Sequence, residues 1–478
     1  MEQASLARPQ DTYGAGHPKG LWVLFITEMW ERFSYYGMRA LLVLYLIEST
    51  QVSNPGFGWN EESAYLLYGL YTWAVYLTPI FAGILADKVL GTHRSLLLGG
   101  WIIVAGHLTL AATEYVGIEP GAAVSLQSSP GALACFLAGL LLIVVGTGFF
   151  KPCASVMVGQ LYGATDARRD SGFTIFYMGI NIGAFAAPFV AGTLGEQIGW
   201  HWGFGSAAVG MLLGMLVYQL LRPGRLDHVG KPPAPTTEAS PPALLPLSRP
   251  EWRRVGVLLI LAFVGNVAFW TAFEQAGSSM NVFAAQSTDG TLAGWLDAGF
   301  PATWYQAVNP AAVILFAPLF AWLWGYLQRR DANPSAPAKF AIGLWLLGLA
   351  FIAMVLGARE AESEGLAGAH WLLITYVVYT WGELCLSPVG LSMVTKLSPA
   401  RLQSVLMGVW FFSFSLSNLA AGLVARYSVA LQEGAASFLL PGLPGFYLLL
   451  VVIPIAVGSA LWLATPALKR LMRDDAAQ

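Results

Sequence analysis

The stretch Glu28-Met29-Trp30-Glu31-Arg32-Phe33-Ser34-Tyr35-Tyr36-Gly37-Met38-Arg39 sets four ionisable side chains inside the first long apolar run of the chain. Charge at such depth is costly in a membrane, so it is expected to face a polar cavity, find partners and carry function. At about 100° per residue, Glu28, Glu31, Arg32, Tyr35 and Arg39 fall on one stripe of a helix. That stripe reads as the start of a binding site.

The surrounding composition makes the membrane reading necessary. The chain has 478 residues, of which 56% are hydrophobic and only 11% charged, with a mean hydropathy of +0.60. Water-soluble domains carry about 25% charged residues, so this much apolar surface has to meet lipid. A net charge of −2 gives no reason to expect a nucleic-acid partner. The cysteines Cys135, Cys153 and Cys385 all lie in apolar runs. They offer neither an even disulfide framework nor zinc-ligand spacing. The first twenty residues are polar and contain Pro9 and Pro18, which does not fit a cleavable secretory signal.

Apolar runs of about 20 residues mark helices long enough to cross a bilayer. They fall near 21–48, 63–86, 95–116, 133–159, 171–195 and 202–221, then near 254–286, 304–328, 338–358, 370–396, 402–430 and 441–465. Twelve spans in two sets of six are therefore expected. Alternate connections carry the cations, among them Lys19, Lys88, Arg94, Arg168, Arg169, Arg222, Arg225, Arg329, Arg330, Lys396, Arg401 and Lys469. The opposite connections carry Glu61, Glu62, Glu114, Glu119, Glu196, Asp289, Asp297, Glu362 and Glu364, with Arg359 and Arg426 as their cations. By the positive-inside rule both termini are expected in the cytoplasm. Residues 223–250 include Lys231-Pro232-Pro233-Ala234-Pro235 and Pro241-Pro242 and read as a semi-rigid linker. The expected organisation is a tail over 1–20, a six-helix bundle over 21–222, the linker over 223–250, a second bundle over 251–466 and a tail over 467–478. A six-plus-six arrangement is typical of secondary transporters built from repeats.

Seven charges lie within these spans: Arg32, Arg39, Lys151, Glu28, Glu31, Glu274 and Glu383. Helices locked together need fewer, so a wet central cavity with both signs explains them better. The same helices carry Tyr68, Tyr71, Tyr76, Tyr177, Asn181, Asn266, Trp270, Gln306, Asn309, Tyr379, Trp410 and Ser413. Separated plus and minus groups suit a zwitterion, with its carboxylate on Arg or Lys and its amine on a carboxylate or amide oxygen. A buried carboxylate is harder to ionise when desolvated and easier beside a cation. A substrate that captures the cation therefore leaves a Glu free to take a proton.

Six motifs carry a family resemblance. Glu28-x-x-Glu31-Arg32-Phe33-x-Tyr35-Tyr36 lies on the first helix, and Gly83-Ile84-Leu85-Ala86-Asp87-Lys88-x-x-Gly91-x-x-Arg94 follows the second. Gly146-Thr147-Gly148-Phe149-Phe150-Lys151-Pro152 lies on the fourth, and Phe176-Tyr177-x-x-Ile180-Asn181-x-Gly183 on the fifth. Phe269-Trp270-x-x-x-Glu274-Gln275-x-Gly277-Ser278-Ser279 lies on the seventh, and Gly382-Glu383-Leu384-x-Leu386-Ser387-Pro388-x-Gly390-Leu391 on the tenth. In this order they resemble the proton-dependent oligopeptide transporter family of the major facilitator superfamily, over nearly the whole chain.

The resemblance implies an all-α membrane protein of major facilitator fold, with twelve transmembrane helices in two pseudo-symmetric six-helix bundles. It implies proton-coupled symport of di- and tripeptides by a monomer in the cell membrane, with no cofactor. Glu28, Glu31, Arg32, Lys151 and Glu274 would couple protons. Arg32 and Lys151 would hold the peptide carboxylate; Glu383, Asn181 and Asn309 would hold the amine. Tyr35, Tyr36, Tyr76, Trp270, Trp410 and Ser413 would complete the substrate site. Arg39 with Glu274, and Asp87 with Arg94, would gate. One departure stands out: residues 223–250 leave no room for the two extra helices that many bacterial members insert between the halves.

The alternative within this fold is nitrate or another small peptide-like or anionic solute; the full Glu28, Glu31 and Arg32 set argues instead for a proton-coupled, zwitterionic substrate. An embedded hydrolase would need a metal site or an activated nucleophile. No His-Glu-x-x-His run is present, and no Gly-x-Ser-x-Gly elbow stands near a suitable His. His107, alone in the third span, reads as a hydrogen-bonded core residue, and His201 as interfacial.

Overall fold

The structure is a computed structural model that describes residues 16–116, 121–125, 127–163, 166–232, 247–291, 299–434 and 439–472. Most of the N-terminal tail, the Pro-rich centre of the linker, the C-terminal end, and Glu119 and Asp297 of the acidic loops lie outside the described residues.

Hydrocarbon offers backbone groups no water, so a spanning segment must satisfy them internally. Every span here does so as a helix. They are α1 (Lys19–Ile47), α2 (Glu61–Leu85), α3 (Gly91–Ala112), α4 (Pro130–Gln160), α5 (Arg169–Ile198) and α6 (Trp200–Leu221). The second set is α7 (Arg249–Gln286), α8 (Ala302–Gln328), α9 (Ala336–Glu364), α10 (Ala369–Leu397), α11 (Gln403–Gln432) and α12 (Gly442–Met472). The α1 helix crosses although Glu28, Glu31, Arg32 and Arg39 interrupt its apolar run. The expected twelve spans are thus present among the described residues. Several helices overrun their apolar runs. α9 continues to Glu364 and α12 to Met472, because polar terminal turns keep their helical hydrogen bonds beyond the hydrocarbon.

Packing repeats between the halves. In the first, α1 packs on α5 and α6, α3 on α4 and α6, and α2 on α4. In the second, α7 packs on α11 and α12, α9 on α10 and α12, and α8 on α10. Prolines repeat as well: Pro79 in α2 matches Pro318 in α8, and Pro152 in α4 matches Pro388 in α10. This is the two-bundle major facilitator architecture.

Residues just after α6 are not free linker. Leu226 and Val229 are buried against the first bundle. Gly230 N donates to Gln160 Oε1 at 2.9 Å and Gly230 O accepts from His93 N at 3.0 Å. The second bundle starts with a capping box, in which Glu251 N donates to Ser248 Oγ and Ser248 N to Glu251 Oε2.

Two seams join the bundles, α2 with α11 and α5 with α8, and these are symmetry counterparts. The α2–α11 seam closes backbone to backbone. A Cβ on Gly69 would lie 2.8 Å from Gly422 Cα, and one on Gly422 would lie 2.6 Å from Gly69 Cα. Small residues allow such approaches in membranes. At the seam's acidic end Arg426 Nη2 meets Glu62 Oε1 at 3.1 Å. Gly69→Val is therefore expected to overpack the seam at a cost of about 1–3 kcal/mol. The predicted outcome is a lower melting temperature in detergent and a reduced cross-link yield between cysteines placed at Glu62 and Arg426. Unchanged values of both would show that the seam tolerates a side chain.

Candidate functional site

The stripe on α1 forms a compact ionic cluster. Arg32 Nε lies 3.0 Å from Glu28 Oε1 and 2.5 Å from Glu31 Oε2, and all three side chains are buried. One guanidinium thus serves two carboxylates. Arg32 Nη2 and Glu28 Oε2 have no hydrogen-bond partner within the protein, which is uncommon for buried polar atoms. Tyr35 lies beside the guanidinium, its ring centroid 5.6 Å from Arg32 Cζ.

Seven residues on, two turns along the same face, Arg39 reaches across to the other bundle. Its Nη2 donates to Glu274 Oε2 on α7, and its Nε donates to Tyr68 OH at 2.6 Å. Beside this pair Asn281 Nδ2 donates to Ala40 O at 2.8 Å, again between bundles. The geometry of α7 explains how Glu274 gets there. A π turn over Leu261–Asn266 and a tight 3-10 turn over Glu274–Gly277 flank the short α-helical piece that carries Trp270. Such irregular turns often mark functional positions.

Lys151, just before Pro152 on α4, holds its ammonium 3.6 Å from the centroid of the Tyr76 ring. That is a cation–π contact, and no carboxylate among the described residues lies within ion-pair distance of it. Glu383, on the counterpart helix α10, is equally without a cation. Its Oε2 accepts from Asn309 Nδ2 at 2.9 Å, and the same amide donates to Thr380 Oγ1 at 2.9 Å. Asn181 donates to Tyr177 O at 3.0 Å.

These groups surround a cavity of about 200 Å³ between the bundles. Tyr36, Arg39, Tyr76 and Asn181 line it from the first bundle; Trp270, Glu274, Asn309 and Glu383 line it from the second. Arg32, Lys151 and Tyr35 do not reach its surface. Lys151 sits against Tyr76, and Arg32 lies one helical turn before Tyr36.

Trp410 and Ser413 also stand behind the wall. Trp410 is buried against Phe340 and Gly390. Ser413 accepts from Asn266 Nδ2 at 2.8 Å, and Asn266 Oδ1 accepts from Trp270 Nε1 at 2.8 Å. Ser413 thereby orients Trp270. The residue that reaches the cavity from α11 is Phe414, one turn after Trp410. It stacks on Tyr76 at 6.2 Å and meets Trp270 at 5.1 Å. Sequence reasoning missed it, although the spacing of four from Trp410 was available. It also gave Tyr68 no separate role, and only the fold shows that hydroxyl on Arg39.

Asp87 and Arg94 are exposed at the turn between α2 and α3, which Gly91 makes with φ 76°. No ion pair joins them to each other. His107 is a buried core residue, its Nε2 3.1 Å from Ser34 Oγ. His201 pairs with Glu114 at the acidic ends of α6 and α3. Cys135, Cys153 and Cys385 are free thiols.

Comparison with known proteins places this geometry among solute carriers. The family model of the POT family matches residues 93–225 and 249–439. The peptide transporter YePEPT of Yersinia enterocolitica is 35% identical, over 100% of this chain and 99% of its own. The uncharacterized transporter YclF of Bacillus subtilis is 37% identical over 96% of each chain. A di-/tripeptide transporter of Lactococcus lactis is 32% identical over 96% of this chain and 97% of its own. A solved structure of a peptide transporter POT mutant in complex with alafosfalin superposes with a TM-score of 0.82, at 34% identity and 97% coverage of each chain.

The buried pair between bundles yields a stability prediction. Removing one partner of such a pair leaves an uncompensated charge and costs about 3–5 kcal/mol, whereas replacing both with apolar groups is often neutral. Arg39→Leu alone should lower the melting temperature, and Arg39→Leu/Glu274→Leu should recover most of the loss. A double variant as unstable as the single one would mean that the ion pair is not what Arg39 contributes.

Proposed function

The chain belongs to the POT family, and on that premise we propose that it carries di- and tripeptides into the cell together with protons. It is a transporter and not an enzyme. The observation that supports this cargo best is the pair of charges left without ionic partners. They are opposite in sign, Lys151 and Glu383, and they stand on the counterpart helices α4 and α10 of opposite bundles. A peptide with its two charged termini satisfies both and ties the halves together. The names of the Yersinia and Lactococcus relatives point to the same class of cargo.

In this reading the peptide carboxylate is held by Lys151 and Arg32, and the amine by Glu383 with Asn309 and Asn181. Tyr36 and Tyr76 yield to admit the carboxylate to the cations behind them. Trp270 and Phe414 shape the space for side chains, backed by Tyr35 and Trp410 behind the wall, with Ser413 fixing Trp270. A carboxylate arriving at Arg32 competes with Glu28 and Glu31 for one guanidinium. The displaced Glu would remain a buried, unpaired anion unless it took up a proton, and that cost couples cargo to protons. Glu274 is the second proton site. When it is neutral, Arg39 loses its ionic partner across the bundles and the acidic face is free to open.

The basic face is cytoplasmic by the positive-inside rule, so both termini lie inside. The protein acts as a monomer in the cell membrane. Asp87 and Arg94, exposed here, brace the cytoplasmic turn in another state of the cycle.

Uptake of labelled dialanine into proteoliposomes under an inward proton gradient tests the scheme. Lys151→Ala should abolish uptake. Glu274→Gln should lose gradient-driven accumulation while keeping peptide counterflow. Wild-type uptake that ignores the gradient would remove proton coupling from the scheme. Unlabelled dialanine should compete and nitrate should not; the reverse pattern would assign an anionic cargo.

A further inference from the structure

The α5–α8 seam contains a carboxylate that the transport scheme does not use. Glu196 Oε2 accepts from Ala302 N at 2.8 Å, while its Oε1 accepts from Thr303 N at 3.0 Å and from Thr303 Oγ1 at 2.6 Å. Ala302 and Thr303 are the first residues of α8. The opening N–H groups of a helix have no partner within it, and its N-terminus carries partial positive charge. A cap normally comes from the residue just before the helix. Here that residue is Pro301, which has no side-chain oxygen and makes no cap. The cap is supplied instead from the opposite bundle.

The surroundings are fitted to this contact. A Cβ at Gly192 on α5 would collide with Thr303 Oγ1, so glycine is needed where α8 presses in. Trp304 Nε1 donates to Thr193 Oγ1 at 3.0 Å, and its ring meets Phe189 edge-on at 5.1 Å. Asn54 Nδ2 donates to Gly195 O at 2.8 Å and steadies the turn that carries Glu196. The seam's counterpart, α2 with α11, ends in the half-exposed pair Glu62 and Arg426, and exposed pairs contribute little. Glu196 thus carries more of the closure at its seam than the ion pair does at the other. It also borders a second cavity on the acidic face, of about 570 Å³, beside Glu48 and Asn54, so the contact lies within reach of solvent from that side.

From this geometry we propose that Glu196 is a second latch between the bundles, separate from Arg39 and Glu274. It closes the acidic face by capping α8 across the seam. Its hold depends on both carboxylate oxygens acting as acceptors. The latch also positions the substrate site, because Asn181 and Asn309 ride on the two helices that it fastens. This inference rests on the alternating-access part of the proposed function and is independent of what the cargo is.

The test uses the full-length protein in intact cells, with Cys135, Cys153 and Cys385 replaced and one cysteine placed at Ser387, which lines the central cavity. A membrane-impermeant maleimide is added outside and its rate of attachment measured. Glu196→Gln keeps one acceptor but turns an NH2 toward a backbone N–H. Its labelling should be about tenfold faster than in the parent, the factor expected for one lost hydrogen bond to a charged group. Thr303→Ala removes only the hydroxyl donor and should give a smaller increase. The double variant should label faster than either single variant, because the hydroxyl bond to the remaining acceptor is lost as well. Parent-like rates in Glu196→Gln with dialanine uptake intact, or a double variant no faster than the parent, would overturn the latch and leave the transport scheme standing. A cysteine that no variant exposes from outside would overturn both. Should Glu196→Gln not fold, Thr303→Ala decides alone: faster labelling supports the latch, and an unchanged rate overturns it.

Discussion

Hydrocarbon does not solvate ions, and a buried charge survives only by finding a partner or by reaching water. Seven intramembrane charges have been placed under that constraint. Glu28 and Glu31 divide Arg32 between them, and Arg39 spends its charge on Glu274 across the bundles. What is left over is one ammonium on a tyrosine ring and one carboxylate on an amide. Ion pairs this deep are seldom net stabilisers, because desolvation offsets much of the attraction. Their use is that partners can be exchanged. In the proposed scheme, a cluster in which two acids compete for one base takes up a proton when a third acid arrives.

The closing contacts and the cavity share residues, which makes occupancy and shape hard to separate. Arg39 and Glu274 line the cavity and also bridge the bundles. Tyr76 faces the cavity, carries Lys151 and stacks on Phe414 of the other bundle. A ligand that moves Tyr76 therefore disturbs a cation and an aromatic contact between halves together. Further out, the Gly69–Gly422 contact and the Glu196 cap hold the two seams at the acidic end.

Most of the architecture was legible in the sequence because the bilayer reduces folding to a few strong rules. Length, hydropathy and the side preference of Lys and Arg yielded twelve spans and their alternation. The charges were legible too, since polarity in an apolar run is conspicuous. Aromatic residues were not. Trp410 and Phe414 are both apolar, one turn apart on α11, and only packing decides that Phe414 faces the cavity while Trp410 lies behind it. Ser413, expected in the substrate site, here hydrogen-bonds Asn266, which in turn holds Trp270, and nothing in the sequence announces that chain. The Glu196 cap was illegible for a different reason: donor and acceptor are far apart in the chain, and Pro301 looks like an ordinary helix start. The prolines of 223–250 suggest linker throughout, but Leu226 and Val229 come before the Pro-rich stretch that starts at Pro232 and bury against the first bundle.

Pro152 and Pro388 give the two unpaired charges a mechanical setting. A proline within a helix removes one rung of the backbone ladder and crowds the carbonyl one turn earlier, which falls at Gly148 in α4 and at Leu384 in α10. Lys151 directly precedes its proline, and Glu383 lies just before the weakened turn of its own helix. In the proposed scheme the tethers for either end of a zwitterion would therefore be mounted on pliable joints. Tension between two such joints is relieved by flexing them, so each helix behaves as a jointed arm whose grip and bend are one movement.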